Sequence, residues 1–96
     1  MSMIDKYKET NKELQQDVKL EIEKVKNRNS KKSLSQLILI LNELEKSYDT
    51  PNINLSFPRV IVDSWDYSDE LGIKLMNLAD LYKRIRWKLD NYVELG

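Results

Sequence analysis

The apolar residues in the last third of the chain repeat at the spacing of a long α-helix. They alternate four and three residues apart over three heptads, which is typical of helices that pack against other helices along one seam. The alternation predicts a helix over residues 69–93 that packs along most of its length. Its seam consists of Leu71, Leu75, Leu78, Tyr82, Ile85, Leu89 and Tyr92.

Residues 4–26 are predicted to form a first helix, polar except for a narrow apolar stripe. Asn11 occupies one core position in this stripe. The other stripe residues are Ile4, Tyr7, Leu14, Val18 and Val25. Residues 27–32 contain no apolar side chain, which indicates a linker.

Ser33 is predicted to begin a second helix, because Gln36 follows three residues later in a capping-box arrangement. Leu39 and Ile40 lie off the expected inward face, so the helix is apolar nearly all round. We therefore expect it to be the most buried element. The inward face consists of Leu34, Leu37, Ile38, Leu41, Leu44 and Tyr48.

Residues 49–57 are predicted to form a loop, since Pro51 ends the second helix. Ser56 then caps a short third helix over 58–66, in which Val60, Ile61 and Trp65 point inward. Ser68, followed by two acidic residues, is a further helix start. The alternative is that the third and fourth helices run together with a kink near residues 66–68.

These segments predict an all-α fold, an antiparallel four-helix bundle with a short third helix. The chain has two glycines and two prolines, too few for the turns of a β-sandwich or barrel. Its 96 residues suffice for one core, so residues 1–96 are expected to form a single domain. We expect a monomer, and a dimer if the last helix needs more cover than one chain supplies.

The composition argues against an enzyme. The chain has no cysteine and no histidine, which excludes disulfides, thiolate nucleophiles, the usual zinc sites and Ser-His or Cys-His pairs. No glycine-rich phosphate loop is present, so we expect neither catalysis nor a cofactor. An acidic row on the first helix is interpreted as a solvated face, the alternative being a site for a cationic peptide or a metal. The row consists of Glu9, Glu13, Asp17 and Glu21.

Charge is distributed unevenly, although sixteen basic residues balance sixteen acidic ones. Residues 1–33 carry a net charge of +3, residues 34–70 one of −5 and residues 71–96 one of +2. The acidic middle segment would repel phosphate, so nucleic-acid binding is not expected. The longest apolar run has five residues, against the roughly 20 that span a membrane, and the amino terminus does not resemble a signal peptide. We therefore expect a cytoplasmic protein without a membrane span.

The candidate site lies near the end of the predicted last helix. If the seam faces inward, Trp87 points nearly opposite, with Arg84, Lys88 and Asn91 beside it on the outer face. An exposed tryptophan among basic residues suits a protein interface, a nucleic-acid backbone or a membrane surface. The alternative is that Trp87 packs on the first helix or the chain end. Trp65 is expected in the core.

Two segments resemble a known family. Residues 57–61 read Phe-Pro-Arg-Val-Ile, and residues 78–85 read Leu-Ala-Asp-Leu-Tyr-Lys-Arg-Ile. With the apolar helix and proline-containing loop that precede them, they resemble the immunity proteins that protect lactic-acid bacteria from their own class II bacteriocins. The resemblance covers about half the chain.

The resemblance implies an antiparallel four-helix bundle without enzymatic activity. It also implies a protein partner at the inner face of the membrane, a sugar transporter to which the bacteriocin is bound, and specificity in the segment from Ser68 to Gly96. The alternatives are a phage or mobile-element protein that binds and modulates a host or viral protein, and a helical subunit of an oligomer. A peptide gene with a double-glycine leader beside this gene would favour immunity, and packaging or replication genes would favour the phage protein.

Overall fold

A computed structural model describes residues 2–85, which contain four α-helices. Of these residues 73% are helical and none lies in a strand. The prediction of an antiparallel four-helix bundle with a short third helix is confirmed. The helices are α1 (Met3–Lys26), α2 (Leu34–Ser47), α3 (Phe57–Ser64) and α4 (Glu70–Arg84). α1 packs against α2 and α4, and α3 packs against the same two helices.

α1 has the buried stripe that its sequence predicts. Ile4, Tyr7, Leu14 and Val18 are buried, and Val25 packs partly buried against the core. Asn11 is fully buried among them, at the core position where it was expected. None of the four helices is long and apolar enough to cross a membrane.

A buried hydrogen-bond network around Asn11 holds α1 against α2. The Asn11 Nδ2 group donates to the Leu44 carbonyl over 2.9 Å and to the Tyr7 hydroxyl over 3.2 Å. The Tyr7 and Ser47 hydroxyl oxygens are 2.7 Å apart, and Gln15 Nε2 donates to Asn11 Oδ1 over 2.7 Å. Because sliding one helix along the other would leave these groups unpaired, the network fixes the register of the two helices.

Tyr82 ties the loop after α2 to α4. Its ring centroid lies 5.2 Å from that of Tyr7. Its hydroxyl donates to the Thr50 carbonyl over 2.5 Å and accepts the Ile53 N–H over 2.8 Å. Burial raises the pKa of Tyr82, so the phenol stays protonated and keeps its donor at ordinary pH.

The inward face predicted for α2 is partly wrong. Leu37 is fully buried as expected, but so is Ile40, which was placed off that face, and Leu41 is only half-buried. Ile38 and Leu39 are 45% and 36% exposed, so α2 is not buried all round. The reason is that α2 packs against α1 and α3 but not against α4, which leaves one side of an apolar helix in contact with solvent.

α3 begins one residue earlier than predicted and is capped by another helix. Ser56 occupies the N-cap position, but its hydroxyl makes no capping bond. Instead the Glu43 carboxylate of α2 accepts the N–H groups of Ser56 and Phe57, each over 2.9 Å, together with the Ser56 hydroxyl. A negative charge thus meets the positive end of the α3 dipole and satisfies donors that a helix leaves free.

Replacing Glu43 by alanine should lower the free energy of unfolding by about 1–2 kcal/mol, as the loss of an N-cap does. Urea denaturation measures the change. Glu45→Ala is the matched control, because Glu45 is exposed on the same helix. Equal losses in the two variants would contradict a capping role for Glu43.

α4 begins at Glu70 with Asp69, rather than Ser68, as its cap: Asp69 Oδ1 accepts the Gly72 N–H over 2.9 Å. Trp65 is extended, so α3 and α4 are separate helices and not one kinked helix.

The continuous helix predicted over 69–93 is wrong at Ile85, which is extended (φ −69°, ψ 129°) while its side chain stays buried. The spacing of apolar residues indicates which side chains are buried. An extended residue just after a helix can also bury its side chain, so the spacing does not show where the helix ends. Leu89 and Tyr92 of the predicted seam lie outside the described residues.

Candidate functional site

One of the four residues of the predicted patch lies within the part of the chain that the structure describes. Arg84 is the last residue of α4, and its side chain is 71% exposed. Its guanidinium lies 3.3 Å from the Asp80 carboxylate one turn earlier. Trp87, Lys88 and Asn91 lie outside the described residues. The orientation predicted for Trp87 assumed a helix continuing through Ile85, and the helix ends before that residue.

Trp65, expected in the core, is half-buried where α2, α3 and α4 meet. Its indole N–H donates to Gln36 Oε1 over 3.1 Å, and Gln36 Nε2 donates to the Ser64 hydroxyl over 3.2 Å. The Gln36 N–H meets Ser33 Oγ at 3.4 Å, which is half of the predicted capping box. The side chain of Gln36 thus forms hydrogen bonds at the end of α3 instead of capping the start of α2.

Lys32, in the segment predicted as a linker, contacts both Trp65 and Asp69 at this corner of the bundle. Its Nζ lies 5.1 Å from the Trp65 ring centroid and 2.6 Å from Asp69 Oδ2. Burial opposes the ionisation of Asp69, but hydrogen bonds from Lys32 and from the Gly72 N–H outweigh it, and the pKa of Asp69 is lowered. The charge of Lys32 is therefore already compensated within the fold.

Between α3 and the start of α4, beside Trp65, lies an apolar groove of about 270 Å³. Its rim carries three exposed side chains, Val62 (68% exposed), Tyr67 (95%) and Ile73 (46%). We call this surface the α3–α4 groove. It is lined by Ile61, Val62, Trp65, Asp66, Tyr67, Gly72, Ile73, Met76 and Asn77.

Gly72 lines the α3–α4 groove at a place where α3 and α4 approach each other closely. A Cβ at this position would lie 3.2 Å from Trp65 Cε3 and 3.3 Å from Ile61 Cγ2, both closer than ordinary contact. Glycine thus lets the end of α3 approach α4 closely. A glycine inside an apolar helical pattern is the one sequence signal that marks this place, and it marks a packing constraint rather than a ligand.

The acidic row of α1 does not assemble a metal site. Glu9 and Glu13 are exposed, whereas Asp17 and Glu21 line a shallow cleft that also contains Lys24 and other lysines. Lys24 and Lys32 approach Glu21 to 3.9 and 3.6 Å. Among residues 2–85 no three or more acidic side chains come together in a way that could hold a metal ion.

The sequence matches no protein-family model, and no curated protein or solved structure matches it.

Proposed function

We propose that this chain is a non-catalytic binding protein of the bacteriocin-immunity type, which protects the producing cell by binding a receptor–bacteriocin complex at the inner face of the membrane. The observation that supports the proposal is the placement of the two segments that resemble that family. Residues 57–61 begin α3, and residues 78–84 end α4. The helices that contain them enclose the α3–α4 groove, which has the exposed apolar side chains of a protein-binding surface.

Six of the thirteen residues in the two resembling segments are buried and not available to a partner. Phe57, Ile61, Leu78, Tyr82 and Ile85 all belong to the core. These side chains hold α3 and α4 in the core, so binding falls to the exposed residues of these segments and to residues around them.

The test is protection of a sensitive cell. The chain is produced inside an indicator strain that carries the sugar transporter, and the cells are exposed to a panel of class II bacteriocins, including any encoded beside its gene. We expect survival at concentrations of one bacteriocin that kill cells with an empty vector. We also expect the transporter to co-purify with the chain only after that bacteriocin is added. Equal killing by every member of the panel would contradict the proposal and favour a phage or mobile-element protein.

Within the same assay, Arg84→Ala should weaken protection while leaving the melting temperature almost unchanged. Exposed ion pairs such as Arg84–Asp80 contribute about 0–1 kcal/mol, so the fold does not need this side chain. Arg59→Ala is a closely matched control, because Arg59 is also exposed and pairs with Asp63 one turn later over 3.8 Å. Equal protection by both variants would remove Arg84 from the binding surface.

Trp87→Ala and Lys88→Ala extend this test to the rest of the predicted patch. Lost protection at an unchanged melting temperature supports the patch. A large fall in melting temperature assigns Trp87 to the core, and full protection at unchanged stability shows ordinary surface.

A further inference from the structure

The α3–α4 groove combines a covered apolar floor with an exposed apolar rim. Ile61 is buried, Trp65 and Met76 are half-buried, and Val62 and Ile73 stand exposed on the two facing helices. Its volume of about 270 Å³ lies just below the range of about 300–1,000 Å³ for small-molecule sites. An open groove of this size between two helices accommodates one or two large side chains of a partner helix.

The charge of the α3–α4 groove is negative. Among residues 2–85, Asp66 is the one charged side chain that lines it. Hydrogen bonds from the Ser68 N–H and hydroxyl, over 2.9 and 2.8 Å, lower the pKa of Asp66 and keep it ionised at neutral pH. Both bonds come from neutral donors, so its negative charge is not compensated by them.

None of the cations around the α3–α4 groove lines it in the part of the chain that the structure describes. Lys32 is bound to Asp69, and Arg59 on α3 pairs with Asp63. Lys31 lies with Asp66 along a separate cleft beside Trp65. A ligand that covers Asp66 from within the groove is therefore favoured if it brings a positive charge, because a buried unpaired carboxylate is costly.

We infer that the α3–α4 groove binds a cationic amphipathic helix of a partner protein or peptide. A large apolar side chain of that helix enters between Trp65 and Met76, and a lysine or arginine beside it pairs with Asp66. Val62, Tyr67 and Ile73 cover the flanks of the inserted side chain. This inference names the chemistry of the ligand and goes beyond the proposed function, because binding can be measured without any protection assay.

The experiment selects the ligand from a displayed library of amphipathic helical peptides of about 15 residues. Apolar positions vary among alanine, leucine, isoleucine, methionine and phenylalanine, and polar positions vary equally among lysine, glutamate and glutamine. We expect the full-length chain to enrich lysine-rich peptides with a large apolar residue. Enrichment of glutamate-rich peptides, or no enrichment above a blank surface, would overturn the inference.

Variants of the chain then locate the site of the enriched peptide. Ile73→Gln should weaken its binding about tenfold, as the loss of a central apolar contact does. Ile38→Gln is a matched control, since Ile38 is 45% exposed on α2, close to the 46% of Ile73. Asp66→Asn should weaken binding about two- to fivefold at low salt, and Asp49→Asn, in the exposed loop after α2, should leave it unchanged. Equal losses in the matched pairs would place the peptide elsewhere.

Two other occupants are excluded by the same variants. Vesicles containing phosphatidylglycerol should not sediment the chain, and sedimentation velocity at micromolar concentration should show a monomer. Vesicle binding or a dimer that Ile73→Gln abolishes would assign the groove to a membrane or to a second copy instead. Peptide binding without protection in cells would refute the proposed function and leave this inference intact.

Discussion

Replacing Phe57 by alanine should cost about 3–5 kcal/mol of the free energy of unfolding, as truncation of a fully buried phenylalanine does. Phe57 has no exposed surface and is the first residue of α3. Its truncation leaves a cavity where α3 meets the core. Because a domain of this size has a total stability of about 5–15 kcal/mol, the loss is a large part of it. Urea denaturation at 25 °C gives the value.

Two variants show whether the loss comes from the core. Phe57→Leu keeps most of the volume and should cost about 1–2 kcal/mol. Tyr67→Ala removes an aromatic ring that is 95% exposed and should change stability by less than about 0.5 kcal/mol. A loss below about 1 kcal/mol for Phe57→Ala would mean that this side chain does not belong to the core.

Asn11→Asp should destabilise the protein by about 3 kcal/mol or more at pH 7, because it buries a carboxylate without a partner cation. The substitution replaces the Nδ2 donor with an oxygen that faces the Leu44 carbonyl and the Tyr7 hydroxyl. The acceptor that receives Gln15 is kept, so shape and one hydrogen bond survive. Chemical denaturation at several pH values measures the effect.

The loss of unfolding free energy caused by Asn11→Asp should become smaller as the pH falls. Burial raises the pKa of the new carboxyl in the folded state above its unfolded value of about 3.9. The charge penalty is absent below the unfolded pKa, grows as the pH rises, and is complete above the folded pKa. The gap between variant and parent should thus narrow from pH 7 to pH 3. Asn42→Asp, on the exposed face of α2, is the control and should show almost no gap at either pH.

Much of the fold is predictable because the residues that repeat at helical spacing are mostly the residues that become buried. The stripe of α1 was located correctly, including Asn11, since each of its positions meets a neighbouring helix. The inward face of α2 was located only in part, because Ile38, Leu39 and Ile40 are chemically alike. Only the number of packing neighbours distinguishes these three residues. The cap of α3 was also missed, since Glu43 lies far from Ser56 in the sequence.

The candidate site is less predictable than the fold. Helical spacing leaves Val62 and Ile73 off the predicted inward faces. It does not show that they border a groove, because a groove depends on how closely two helices approach. That approach depends on Gly72 and on the indole of Trp65, whose position follows from contacts with Gln36 and Lys32. The predicted patch was sought near the end of the helix predicted over 69–93, where a tryptophan and basic residues stand together in the sequence.

Because the Glu43 carboxylate of α2 caps the start of α3, the formation of α3 depends on that of α2. An eight-residue helix is too short to persist alone in water. Its first N–H groups acquire their acceptor only when the chain between Glu43 and Ser56 has closed on a formed α2. In hydrogen exchange, the amides of α3 should therefore open whenever the last turns of α2 open, as one cooperative unit. Since α3 is one wall of the groove, each such opening also removes the binding surface. A bound helix would therefore slow hydrogen exchange in the last turns of α2, although no residue of α2 lines the groove.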